Sequence, residues 1–185
     1  MTPIGPIAVD AESKDVQEQG SRIQVTGSVA VSMRPLRRDD RERENTFVNS
    51  LSQRSRYLRL ISAVKTLPPS LLEQFMDLDY HRRMALVATT TQGGVEEFVG
   101  IARYAAVRDS TTAEIGVTVA DAWQRRGIAR ALVARLLTFA KTCEFKRMEG
   151  FVLPENEPML AFAREFGFSV HYCADEQLMR IAYEL

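Results

Sequence analysis

Near the middle of the chain, Gln124-Arg125-Arg126-Gly127-Ile128-Ala129 combines a glycine, small side chains and positive charge just ahead of a long amphipathic stretch. If that stretch is a helix, its N-terminus presents several unpaired backbone N–H groups and a partial positive charge. Gly127 lets a bulky anion approach without a Cβ in the way, Ala129 keeps the next turn small, and Arg125 and Arg126 add full charges. Together these residues make a cradle for a pyrophosphate. The GxxxxGK[ST] order of a nucleotide-binding loop is absent here, and so is a GxGxxG dinucleotide turn. The plainer alternative is a glycine in a helix-start turn beside two solvated arginines.

Other chemistry-bearing residues are scattered. His81 and His171 stand alone and read as packed or surface histidines. Cys143 and Cys173 lie 30 positions apart with no CxxC, so a disulfide framework is excluded and no metal site is expected. Both read as small hydrophobes. Trp123, next to the glycine turn, reads as a packing anchor.

The elements that must position the cradle follow from periodicity. Val29–Arg34 alternates apolar and polar residues and reads as a strand closed by Pro35. Asp39 or Asp40 caps a helix towards Leu51, Ser52–Leu60 is a second helical piece, and Pro68-Pro69-Ser70 opens a third. Met84–Thr89, Glu96–Tyr104 and Ala113–Val119 read as an antiparallel meander, with Gln92-Gly93-Gly94 as its first turn. From Gly127 to Cys143, Ile128, Leu132, Val133, Leu136, Leu137 and Ala140 fall on one helical face. Met148–Leu153 reads as a strand, Pro158 starts a helix that Gly167 stops, and Phe168–Cys173 and Leu178–Tyr183 are closing strands. The expected architecture is a mixed α/β (α+β) fold: a mostly antiparallel central sheet flanked by helices.

Residues 1–28 show neither period and read as a flexible tail, the alternative being an ordered arm docked on the body or on a second subunit, leaving 29–185 as a single domain. With 24 basic and 24 acidic side chains the chain is formally neutral, which gives no reason to expect nucleic acid or an acidic membrane as partner. No run approaches the ~20 apolar residues of a bilayer span. Residues 1–10 lack the basic start and apolar stretch of a signal peptide, so a cytoplasmic location is expected.

The pattern Q-x-x-G-x-[GA] after a strand, here Gln124-xx-Gly127-x-Ala129, resembles the acyl-CoA signature of the GNAT superfamily of N-acetyltransferases. VLPENEPMLAFAREFGF (152–168) looks like that family's strand–Asn–helix–Gly-Phe segment. RPLRRDD (34–40), LSQRSRYLRL (51–60) and DYHRRMALVA (79–88) look like the lysine-acetylating branch whose members modify bacterial metabolic enzymes. The likeness covers about residues 31–183. It implies that backbone N–H groups of Arg125, Arg126, Gly127, Ile128, Ala129 and Arg130 hold the CoA pyrophosphate, with Gln124 opening the loop. Val117 and Val119 would hydrogen-bond the pantetheine arm, which requires their strand to splay from a parallel neighbour at Met148–Leu153. Asn156 would lie beside the pantetheine or the reacting centre, and Glu114 falls at the family's general-base position.

A carboxylate suits that role on physical grounds too. An alkylammonium has a pKa near ~10.4 and must lose a proton before attacking a thioester. A strand carboxylate near a cleft is expected to be partly desolvated, which makes it a better base. Alternatively, Glu114 pairs with a cross-strand arginine such as Arg103. One departure stands out: where many members carry a tyrosine as proton donor, four residues before the glycine of the Gly-Phe pair, this chain has Ala163. Tyr104 and Tyr172 are candidate substitutes, unless the thiolate leaves unaided. Arg54, Arg56 and Arg59 are a solvated face, or they receive an acidic protein surface or CoA's 3′-phosphate.

The implied activity is acetyl transfer from acetyl-CoA to a primary amine by direct attack, with Glu114 as base and the Val117 N–H as oxyanion donor. The acceptor is a protein lysine or a small amine. A different class of function, a non-catalytic acyl-CoA-binding sensor, is compatible with the missing tyrosine.

Overall fold

The computed structural model describes residues 21–24, 30–108 and 110–185. In chain order these form β1 (Ser21–Gln24), β2 (Ala30–Pro35), a 3-10 turn (Arg38–Asp40), α1 (Arg41–Ser50), α2 (Gln53–Leu60) and α3 (Pro69–Met76). There follow β3 (Arg83–Gln92), β4 (Val95–Ala106), β5 (Thr112–Val119), α4 (Ile128–Thr142), β6 (Arg147–Val152), α5 (Glu157–Phe166), β7 (Ser169–Cys173) and β8 (Leu178–Glu184). The strands make one mixed sheet in the order β1-β2-β3-β4-β5-β6-β8-β7, antiparallel at every pair except the parallel β5–β6. The expected flexible tail over 1–28 lies mostly outside the described residues. Its four described residues, Ser21–Gln24, are instead a strand on the edge of β2, which sequence pattern did not reveal.

The sheet buries both faces. On one, Ile128, Leu132, Val133, Leu136, Leu137 and Ala140 of α4 are all buried, with Leu160 and Ala163 of α5 beside them. This is the apolar stripe the sequence shows, seated on Met84, Leu86 and Ala102 of β3 and β4. On the other, Phe47, Val48 and Leu51 at the end of α1 meet Val87, Phe98 and Ile101. There α2 has no buried residue at all, so it lies over the sheet without sealing it. Asp40 sits at the N-cap position of α1 but does not cap it. Its buried carboxylate instead accepts from the Arg34 guanidinium at 2.5 and 2.9 Å and from the Arg37 N–H at 2.9 Å, tying β2 to the turn. No helix among the described residues is long and apolar enough to cross a membrane.

The one parallel pair matters most. Registered partners of β5 and β6 run only through Thr112↔Arg147, Ala113↔Met148 and Glu114↔Glu149. At the next step a Cβ on Gly150 would stand 2.8 Å from the Ile115 carbonyl oxygen, closer than any side chain tolerates, so glycine is needed there. Past that point the strands part while β5 stays paired with β4 as far as Gly100↔Val119.

Candidate active site

The parting of β5 and β6 opens a cavity of about 500 Å³, walled by α2, β5, β6 and the start of α5. Backbone direction alternates along β5. The Thr118 carbonyl faces Gly100 on β4, whereas the Ile115 carbonyl faces Gly150 on β6. By that alternation the N–H and C=O groups of Val117 and Val119 also point into the gap, where no strand receives them. The Val119 carbonyl accepts from the Gln124 side-chain amide at 3.2 Å, which holds the following turn against the strand end. Val117, Val119, Gln124 and Asn156 all line the cavity. Asn156 is the N-cap of α5, accepting from the Met159 N–H at 3.3 Å.

Beyond Gln124 the chain turns into α4. Arg125 and Gly127 both take left-handed backbone, with φ of 61° and 83°, and successive N–H groups in such a turn form an anion-binding concavity. The N–H groups of Arg125 through Arg130 have no partner among the described residues; the first helical bond of α4 is Ala131 N–H to Gly127 O. A Cβ on Gly127 would meet nothing within 4 Å, so the space over the turn is free for an anion. Ile128 contributes only backbone there, because its side chain is buried under the sheet. Arg126 lies 5.0 Å from the Trp123 ring and Arg130 5.4 Å from Phe166, which leaves both cations flanking the turn. A pyrophosphate and an extended amide-bearing arm fit these groups.

Glu114 lines the same cavity, on the face of β5 that looks towards α2. The alternative ion pair does not form: Arg103 donates to the buried Glu44 and stacks 4.0 Å over Phe75. Glu114 has no hydrogen bond or ion pair among the described residues. The expected desolvation is also absent, because Glu114 sits where β6 leaves the sheet and stays solvent-exposed. Neither substitute tyrosine lines the cavity. The buried Tyr104 hydroxyl donates to the His81 carbonyl at 3.0 Å and touches Cys143, while Tyr172 lies exposed on the far edge strand. Burial pushes the Tyr104 phenol up, further from any role as a proton donor. Ala163 is wholly buried.

The three arginines of α2 separate. Arg56 donates to the backbone carbonyls of Lys65, Asn49 and Leu51 and is a structural tie. Arg54 and Arg59 line the cavity. Asp121 also lines it, but its carboxylate accepts from Ser52 N–H, Ser52 Oγ and Ser55 Oγ and so pins α2 to the β5–α4 connection. Sequence pattern named Arg59 only together with Arg54 and Arg56, because a polar short helix carries no period to separate them, and it did not single out Asp121.

Known proteins resemble this chain in sequence and fold. The profile of the Acetyltransferase (GNAT) family matches residues 50–168. Acetyltransferase PA5475 of Pseudomonas aeruginosa is 38% identical over 138 residues, spanning 75% of this chain and 74% of that protein. The crystal structure of the GNAT domain of S. lividans PAT matches with a TM-score of 0.80 at 26% identity, covering 90% of this chain and 97% of that one. A cAMP-binding acyltransferase from Mycobacterium smegmatis shares the fold at 23% identity and a TM-score of 0.62, with 95% of this chain covering 52% of that one.

Proposed function

The chain belongs to the GNAT family of acetyltransferases, and from that premise we propose that it transfers an acetyl group from acetyl-CoA to a primary amine by direct attack in a ternary complex. The observation that carries the reading is the convergence of three features on one cavity. A run of free N–H groups at the start of α4, the unpaired backbone of β5 and an unpaired carboxylate at Glu114 meet where β5 and β6 part.

In the proposed reaction the α4 turn, Arg125 to Arg130, binds the pyrophosphate, and Val117 and Val119 align the pantetheine as an added strand. The amine nitrogen attacks the thioester carbonyl carbon while Glu114, directly or through water, takes its proton. The Val117 N–H donates to the developing oxyanion. The C–S bond then breaks and CoA leaves as thiolate; with a thiol pKa near ~8.5 it needs no tyrosine at position 163. The exposure of Glu114 suits exchange of the abstracted proton with solvent. For the acceptor we propose a protein lysine, supported by the resemblance of the segments at 34–40, 51–60 and 79–88 to the lysine-acetylating branch.

The test is thiol release from acetyl-CoA by the full chain in the presence of lysine peptides and small amines, with the acceptors weighed by mass spectrometry. Release that requires an amine and yields one acetamide per thiol is the expected result. Acetyl-CoA binding without release across the whole panel would overturn it in favour of a binding module.

A further inference from the structure

Arg59 ends α2 with its guanidinium laid against β5. A Cβ built on Gly116 would stand 2.9 Å from its Cζ, Nη1 and Nη2 alike, so the group covers the strand one side-chain position along from Glu114 on the same face. Gly116 is what makes room for it. The other buried or half-buried arginines near this part of the sheet are committed: Arg103 to Glu44, Arg56 to three carbonyls, Arg34 to Asp40 and Glu96; Arg54 also lines the cavity but is exposed to solvent. Arg59 is half-buried and has neither a hydrogen bond nor an ion pair among the described residues; besides Gly116 it lies 5.7 Å from the Phe75 ring.

A half-buried guanidinium with idle donors is costly unless a ligand satisfies it. Burial, and Arg103 beside it, push Arg59 down to about 10, which still leaves it charged at neutral pH. Of the two carboxylates whose charge reaches Arg59, Glu44 is occupied by Arg103, and Glu114 lies beyond ion-pair distance. Within the cavity, Asp121 is held by two serines, so Glu114, Arg59 and the exposed Arg54 are the charged lining groups left to meet a ligand, and of the two arginines only Arg59 lies against β5. Gly116, which the Arg59 guanidinium covers, and Glu114 stand two residues apart along β5, about 7 Å.

We propose that Arg59 receives a carboxylate that the acceptor carries beside its amine, so that the acceptor is a zwitterionic or acid-flanked amine held between Arg59 and Glu114. This rests on the transfer reading above and names its substrate class. The carboxylate has two possible sources, the main-chain acid of a free amino acid or an Asp or Glu side chain next to a protein lysine.

The experiment compares matched acceptors: free lysine against lysinamide, and a Glu-Lys peptide against the same peptide with Gln-Lys. Calorimetric binding in the presence of CoA is read alongside kcat/KM. With the full chain, the carboxylate member of one pair is expected to bind and react about 10- to 100-fold better, the increment of a charged hydrogen-bonded contact. Whichever pair shows it identifies the source. Arg59→Gln should erase the preference by raising KM for the carboxylate member, leave its carboxamide partner and acetyl-CoA affinity unchanged, and Arg59→Lys should restore part of it. Equal treatment of both members in both pairs by the unmodified chain would overturn the proposal, as would an Arg59→Gln loss shared equally by carboxylate and carboxamide. Because binding is read separately, a carboxylate preference without thiol release would refute the transfer reading while leaving the Arg59 subsite in place.

Discussion

Replacing Gly127 by glutamate attacks the cradle at the point of closest approach to the anion. Two costs can be separated. Residue 127 holds φ at 83°, and an L side chain in left-handed backbone costs about 1–2 kcal/mol. Nothing lies within 4 Å of a Cβ there, so no steric cost is added in the free protein. Against a usual total of about 5–15 kcal/mol the fold survives, with the melting temperature lower by roughly 2–8 °C. The effect on the ligand is different in kind. A carboxylate about 4 Å from a phosphate repels it by roughly 1–4 kcal/mol, taking effective dielectrics between those of water and a protein surface. Acetyl-CoA affinity should therefore fall about fivefold to a thousandfold, with added bulk pushing towards the upper end. Gly127→Asn is the control: asparagine tolerates left-handed backbone and carries no charge, so it should bind more tightly than the glutamate variant. Calorimetric titration with acetyl-CoA, paired with thermal unfolding, reads both costs. A folded Gly127→Glu protein with unchanged acetyl-CoA affinity would refute the assignment of the α4 turn.

Arg103→Met leaves the buried Glu44 without its one hydrogen-bond donor among the described residues, and a charge stranded in this way costs about 3–5 kcal/mol. Thermal unfolding should show it, and the Arg103→Met, Glu44→Met double variant should be less destabilised than the single one. Acidification should also weaken the fold. Burial pushes the Asp40 carboxyl up, but the Arg34 hydrogen bonds, the Arg37 N–H and the charges of Arg34 and Arg43 hold it below its ordinary 3.8. Its contribution is thus fully present above that value and is lost as pH falls through the lower folded one. Asp40→Asn should flatten the acid limb of a stability–pH curve below about pH 4, and an unchanged limb would remove Asp40 from the explanation.

What was legible in the sequence was what period and turn chemistry encode. The α4 stripe from Ile128 to Ala140 is apolar at helical spacing, and every one of those residues is buried where the pattern puts it. Gly167 reads as a left-handed helix stop and is so. What stayed hidden depends on long-range placement. Ser21–Gln24 is a short edge strand of mostly polar residues whose place is set by its pairing with β2. Glu114 could be singled out by type and position, but its exposure is decided by where β6 leaves the sheet, and that depends on Gly150 meeting Ile115. Arg56 and Arg59 sit three residues apart on one helix and look alike as letters. Only the fold turns one towards backbone carbonyls and the other towards Gly116. Tyr104, plausible as a proton donor by type, is spent on the His81 carbonyl.

Glu114→Gln at saturating acetyl-CoA is the most direct test of the chemistry assigned to this site. The substitution keeps size and removes basicity, and because Glu114 has no hydrogen bond or ion pair among the described residues, stability should hold within about 0.5 kcal/mol. Turnover of a primary amine should fall ~10²–10⁴-fold with acetyl-CoA affinity unchanged. The residual rate should climb with pH as the amine nears its own pKa of about 10.4. A folded Glu114→Gln enzyme turning over at the unmodified rate would contradict general-base catalysis by Glu114 and return the carboxylate to an ordinary surface role.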